Sequence, residues 1–519
     1  GFIIAALGIA FLVGYPYSQY TETKQSIERN LHYFITYAGT ISTVDIPRTK
    51  LFYKISENEN FGYISDVFSR IHYLANDWNL GYAQATREMS EKVPSPILAD
   101  FLDRFAVALD FGESLSTFLD EEQESIMEDF RVEYEKSLET IELIQDTFVA
   151  LSISFSFILG TTLLAPLLLD VQMTTILPFA IGFILMVDIA LIAAVRSYIP
   201  TDRLIHTFEE RNRDQQRIFL TFCGASLLGI IILVTLFLAT SLPFLLTLAI
   251  SVSPLAIPGF LALQYENKVM QRDKEFPIYA RVLGSAIEVR DGAVVSALKS
   301  TQVHEFGSLD DLSIHLYRRL RIGSDRWESW DYLALESGST LISNFSKIFS
   351  ESIYMGGNSQ KIGEIVSQNM QELLSLRKLR SQLANGLRGS FYGTLIGLSS
   401  VIYITSKVAE LLIGIFNQPL GLETSQFNFA ETIIPQAQSI DFSMVFFYIG
   451  VLIVVHSAAS SFIMKAIDGG SWYAATIDFI IMIWIGAGLS IALPIVIDGL
   501  LPDIQPVGEN LTNATNGTG

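Results

Sequence analysis

The sequence predicts an all-α polytopic membrane protein. It has two repeated helical-bundle domains and about eight transmembrane helices, arranged as a parallel duplication. Three observations lead there. Long apolar blocks alternate with charged segments, so that half of the 519 residues are apolar and only 17% are charged. Two stretches about 244 residues apart read as copies of one another, and a repeat fixes architecture before any residue chemistry is considered. Finally, 33 of the 34 Lys and Arg residues fall in four segments that can all lie on one side of a bilayer.

The copies are recognised by their aromatic and glycine positions. FLDRFAVALDFG holds Phe101, Phe105 and Gly112; FSKIFSESIYMG holds Phe345, Phe349 and Gly356, each at the same offset. Upstream, Phe61-Gly62 with Asp66 is matched by Phe306-Gly307 with Asp311 at an offset of 245.

A spanning helix needs about 20 mostly apolar residues. Seven blocks qualify, at roughly 147–169, 175–195, 218–240, 242–263, 391–416, 444–464 and 475–501. An eighth, 1–17, is slightly short. Because the chain begins with Gly, it is read as the remainder of a first span. A signal peptide is the alternative, but no A-x-A cleavage site follows it. The expected domains are therefore the span 1–17, a helical domain 18–146, four spans over 147–263 with a loop at 196–217, a second helical domain 264–390, three spans over 391–501, and a tail 502–519.

Orientation follows from the basic residues, which are in excess in cytoplasmic loops. Segments 18–146, 196–217, 264–390 and 465–474 carry 11, 5, 16 and 1 of them; 170–174, 417–443 and 502–519 carry none. The basic segments are therefore expected in the cytoplasm and the tail outside. The tail holds three consecutive sequons, at Asn510, Asn513 and Asn516, which suit an extracytoplasmic position. Four spans per copy give both copies the same orientation, as in a parallel repeat. The copies differ in charge: 18–146 has 24 acids against 11 bases, while 264–390 has 15 against 16. The overall charge of −20 argues against a nucleic-acid partner. The scarcity of lysine, 13 against 21 arginines, leans towards a salty cytoplasm. A lone Cys223 excludes a disulfide framework.

Both large loops carry apolar residues at three- and four-residue spacing, the period of a helix. Ile126, Phe130, Tyr134, Leu138, Ile141 and Ile144 form one stripe running towards a span. Ile362, Val366, Met370, Leu373, Leu376 and Leu383 form its counterpart. No proline interrupts 120–165, so a continuous rod is feasible. Gly112 and the Gly356-Gly357 pair fall between helical patterns, where glycine closes a helix.

Two helical domains with an F-x-x-x-F core and a Gly seven residues on, each leading into spans, resemble the type II secretion F-domain family. These are the inner-membrane platform proteins of type IV pilus, type II secretion and archaellum machines, and the two-copy archaeal form is the nearest in layout. The resemblance covers about 28–170 and 276–415, with the remaining spans matched in number and order. Copy 1 departs from the finer motif, having Phe111-Gly112-Glu113 where copy 2 has a Gly-Gly pair. The resemblance implies a non-enzymatic platform in the inner membrane. Its partners would be a cytoplasmic hexameric secretion ATPase, pilin or archaellin subunits, the lipid bilayer and a second copy of itself in a dimer. No cofactor or metal is expected. The residues agree: there is no G-x-x-x-x-G-K-[ST] loop, no catalytic triad spacing, and no metal-ligand spacing among the six histidines.

Candidate contacts for the ATPase are Arg203, Arg211, Arg213 and Arg217 in the loop at 203–217, and Arg318, Arg319 and Arg321 in YRRLR. The simpler reading is orientation and lipid-headgroup binding. The acidic stretch from Asp120 to Asp146 is a further candidate face. Charges expected inside spans are Asp188, Lys407, Glu410 and Asp478, with His456 beside them. Each costs about 2.5–3.5 kcal/mol at mid-bilayer without a partner. Lys407 and Glu410, three apart, are expected to pair. A solute transporter built from a duplicated bundle and a membrane scaffold or receptor are the competing readings.

Overall fold

Apolar periodicity becomes helix throughout. The computed structural model describes residues 2–44, 46–164, 173–200, 202–206, 212–416 and 442–500, with side chains described except at 2–18, 59, 173–176 and 413–416. Among the described residues the secondary structure is all-α apart from one isolated bridge pair, Ile205 with Ser339. The chain divides into two units. A bundle unit comprises Gly1–Leu138, Pro200–Asp214 and Gln264–Arg380; a span unit comprises Glu139–Ile199, Gln215–Leu263 and Ser381–Gly519.

In the bundle unit the duplication is visible helix by helix. The first repeat has α1 (Phe2–Ser42), α2 (Arg48–Glu57), α3 (Tyr63–Asn76), α4 (Tyr82–Ser90), α5 (Pro96–Phe111) and α6 (Leu115–Leu163). After α7 (Met173–Tyr198), α8 (Arg213–Ala239) and α9 (Phe244–Val252), the second repeat follows in the same order. It has α10 (Ala256–Glu288), α11 (Val294–Thr301), α12 (Asp310–Arg321), α13 (Arg326–Ser337), α14 (Thr340–Tyr354) and α15 (Ser359–Phe416). Two further helices, α16 (Phe442–Asp468) and α17 (Ala475–Leu500), complete the described chain.

The repeated residues hold the two interiors in the same way. Phe101 and Phe105 are buried in the first repeat, Phe345 and Phe349 in the second. Phe34 meets Phe61 edge-on at 6.2 Å, and at the matching positions Tyr279 meets Phe306 edge-on at 5.2 Å. Such aromatic pairs add about 0.5–1.5 kcal/mol to their burial. Gly62 and Gly307 both take positive φ, 55° and 57°, turning the chain into α3 and α12. Gly112 ends α5 with φ 71°, while the Glu113 N–H bonds the Ala108 carbonyl at 3.0 Å. Gly356 follows α14 with φ 88°, and the Gly357 N–H bonds the Ser352 carbonyl at 3.2 Å. Both are helix closures of the left-handed kind that favours glycine. Gly357 serves packing instead: a Cβ there would lie 2.7 Å from the Thr43 hydroxyl oxygen.

The repeats join along α1, which lies on α14 and α15. Tyr33 meets Phe345 edge-on at 5.5 Å. Thr40 accepts from Ser352 at 2.8 Å, and Thr36 from Asn369 at 2.7 Å. Buried hydroxyl and amide groups cost little when paired in this manner.

Seven helices in the described residues are long and apolar enough to cross a membrane. The expected span 1–17 lies in α1 where side chains are not described. Within the span unit, each of the singled-out charges lies beside a polar or ionic partner. Lys407 sits 3.3 Å from Glu410 and 3.2 Å from Asp498. Asp188 sits 3.3 Å from His456, and Asp478 lies 3.2 Å from Arg388 and accepts from the Tyr392 hydroxyl at 2.5 Å.

Candidate functional site

The segment after α7 returns to the bundle unit and seats on the second repeat. The Ser337-Gly338-Ser339 elbow between α13 and α14 receives it. The His206 N–H donates to the Gly338 carbonyl and the Thr340 N–H to the Leu204 carbonyl, both at 3.2 Å. Gly338 is required by conformation and by space: its φ is 73°, and a Cβ would fall 2.2 Å from the Tyr265 hydroxyl. Asn212 donates to the Leu335 and Glu336 carbonyls at 3.5 Å.

Behind this loop lies a buried ion cluster. Arg377 of α15 grips both carboxylate oxygens of Asp202, bonds Asp273 of α10 at 2.8 Å, and donates to the Arg203 carbonyl at 2.8 Å. One turn on, Arg380 donates to the carbonyls of Pro200 and Asp202 at 3.1 and 2.8 Å. Ser339 donates to Asp273 and accepts the Ile342 N–H at 3.1 Å, capping α14. One guanidinium between two carboxylates fits them unequally. Burial raises the Asp202 carboxyl, but the two-pronged Arg377 contact outweighs it and holds Asp202 below the usual range. Burial dominates at Asp273 and pushes it up to about 6, against the pull of Arg377. Burial also lowers His32, beside this cluster on α1, to about 3. That histidine is neutral in the folded protein.

The positions expected to meet a partner fall into three groups. Arg203, Arg213 and Arg217 are exposed, as are Arg318 and Arg321. Arg319 is engaged internally: it forms an ion pair with Glu336 and lies 4.9 Å over the Tyr332 ring. Arg211, and the sequons at Asn510, Asn513 and Asn516, lie outside the described residues. Sequence reasoning missed Asp202, Asp273, Arg377 and Arg380. The available signal was two arginines three apart on the apolar face of α15, where a solvated charge would be out of place.

The fold is thus that of a helical membrane protein with a duplicated, membrane-attached bundle. Residues 34–163 match the family model of type II secretion system protein F. The chain is 31% identical over 502 residues to flagella accessory protein J of Methanocaldococcus jannaschii, covering 94% of this chain and 88% of that one. It is 28% identical over 518 residues to the protein of the same name from Methanococcus voltae, covering 97% and 92%. An uncharacterized protein of M. jannaschii is 24% identical over 148 residues, 28% of this chain and 24% of its own length. No solved structure matches. The chain belongs to the flagella accessory protein J branch of the type II secretion F family, and it is an inner-membrane protein.

Proposed function

We propose that this chain is the platform of an archaellum or type IV pilus-like assembly machine. In this reading it binds a hexameric secretion ATPase in the cytoplasm and passes the motor's motion to filament subunits in the membrane. The observation that carries the reading is the near-full-length match to two flagella accessory proteins, together with the family match over residues 34–163. The helices α6 and α15, of 49 and 58 residues, are each unbroken; a stiff helix suits the transmission of movement. The chain has no phosphate-binding loop of its own, so the reading assigns energy supply to the motor and no enzymatic step to the platform. The motor contact is assigned to the exposed arginines Arg203, Arg213, Arg217, Arg318 and Arg321, with the tail outside the cell.

Affinity capture of the tagged full chain from native membranes tests this. A secretion ATPase and filament subunits are expected in the eluate. Their absence, together with solute flux in proteoliposomes, would replace the platform by a transporter.

A further inference from the structure

The contact between the repeats is one-sided. In the first repeat α1 offers Tyr33, Thr36, Tyr37 and Thr40 to the second, whose α14 and α15 receive them through Asn344, Phe345, Glu351, Ser352 and Asn369. Each side of that contact has a counterpart at the repeat offset that is largely open, although Val282 and Ser285, matching Tyr37 and Thr40, are half-buried and Ala108, matching Ser352, is buried. The α10 positions matching Tyr33 and Thr36 are Ile278, 59% exposed, and Arg281, exposed; Lys274 lies one turn earlier, also exposed. The positions matching Glu351 and Met355 are Val107 and Phe111 of α5, 46% and 84% exposed. Asn369, buried under α1, corresponds to Ser125 of α6, which is exposed.

The two open faces are complementary. Lys274 and Arg281 enter no ion pair among the described residues, and both project from the α10 face. The face around Ser125 carries Glu121, Glu124 and Glu128, all exposed. A base-bearing helix with an exposed isoleucine thus matches an acidic helix pair with an exposed valine and phenylalanine. Charges arranged in this way steer encounter and fix register. The template for the docked geometry is present inside the chain, in α1 on α14 and α15.

We infer that a second copy of this chain closes the repeat: α10 of one protomer seats on α5 and α6 of another, as α1 seats on α14 and α15. The contact is heterologous, pairing unlike faces. Tyr37 lies beside Glu351 within the chain, so the equivalent pair between chains is Val282 with Val107.

Cysteine cross-linking in membranes tests this on the full chain. The background is Cys223→Ser, since Cys223 is the sole cysteine. Differently tagged chains carrying Val107→Cys and Val282→Cys separately are expected to give a mixed disulfide dimer. Pairs with the same substitution on both chains are expected to give at least tenfold less. A second set of variants uses charge. Lys274→Glu/Arg281→Glu and Glu124→Lys/Glu128→Lys should each lose self-association alone and recover it when mixed, with unchanged helical content. No mixed dimer, equal dimer from like substitutions, or no recovery on mixing would overturn the proposal. The first of these is also the result expected if a soluble partner, and not a second copy, covers the acidic face.

Discussion

At one place the two repeats put opposite chemistry on the same frame. In the second, Asp273 of α10 faces Arg377 of α15, and Asp202 from the seated loop completes the cluster. The matching positions of the first repeat are Glu28 and Glu133. Burial raises Glu28, and Glu133 raises it further, against the pull of Lys24 at 3.5 Å. Ser339 caps its helix and bonds Asp273; its counterpart Ser95 is buried, its hydroxyl without a hydrogen-bond partner among the described residues. The loop could not pair there in the same way, because Pro96 stands where Thr340 supplies an N–H. Duplication has kept the aromatic interior and diverged in what docks on it. The second repeat is occupied by its own chain; at the matching place the first holds two half-buried carboxylates, Glu28 and Glu133.

Four experiments would break or sharpen this comparison, all read as stability of the purified full chain. Phe101→Ala and Phe345→Ala should each cost about 3–5 kcal/mol. Agreement between them to within about 1 kcal/mol would support equivalent interiors; a large difference would count against them. Arg377→Met should cost about 3–5 kcal/mol, because it strands two buried carboxylates. It should also speed hydrogen exchange at 202–206. Glu133→Met, at the matching position but 43% exposed, should stay within about 0.5 kcal/mol. Equal losses would contradict the divergence described above.

The pH response should combine two opposing groups: Asp273, pushed up to about 6, gains stability as pH falls through that value, while His32 loses it. The folded pKa of His32 is depressed to about 3 from 6.5, so at this site the unfolded chain binds the proton first as pH falls. The contribution of the neutral ring is therefore complete above pH 6.5 and is lost progressively towards pH 3. By pH 5 the His32 loss is about 2 kcal/mol. His32→Gln should remove that loss from a melting-temperature profile, and an unchanged slope would remove His32 from the account. The smallest effect belongs to the helix closures. Gly112→Ala and Gly356→Ala should each cost about 1–2 kcal/mol, with no Cβ clash within 4 Å at either site. A loss at only one would show that the closures have diverged too.

Much of the architecture was legible in the sequence because burial leaves a period. The stripe Ile126, Tyr134, Leu138 and Ile141 is buried as spaced, and so is Ile362, Val366, Met370 and Leu373. The phenylalanine–glycine offsets located the repeats because only glycine tolerates the turns they mark. The ion cluster was not legible. Asp202, Asp273 and Arg377 are separated by up to 175 residues, and none sits in a local motif. Their meeting depends on a tertiary packing that no window of sequence contains. The same limit holds in YRRLR: Arg319 reads as a solvated charge until Glu336 is placed beside it.

The reading of this chain as a motor platform is tested most directly by binding. The full chain in lipid nanodiscs would be titrated with the purified secretion ATPase of the same cell. The account predicts saturable binding that weakens at least tenfold in Arg318→Glu/Arg321→Glu, with melting unchanged. It also predicts no such loss in Arg319→Gln, beyond that explained by lower stability. Absence of binding by the unaltered chain would contradict the account at its centre.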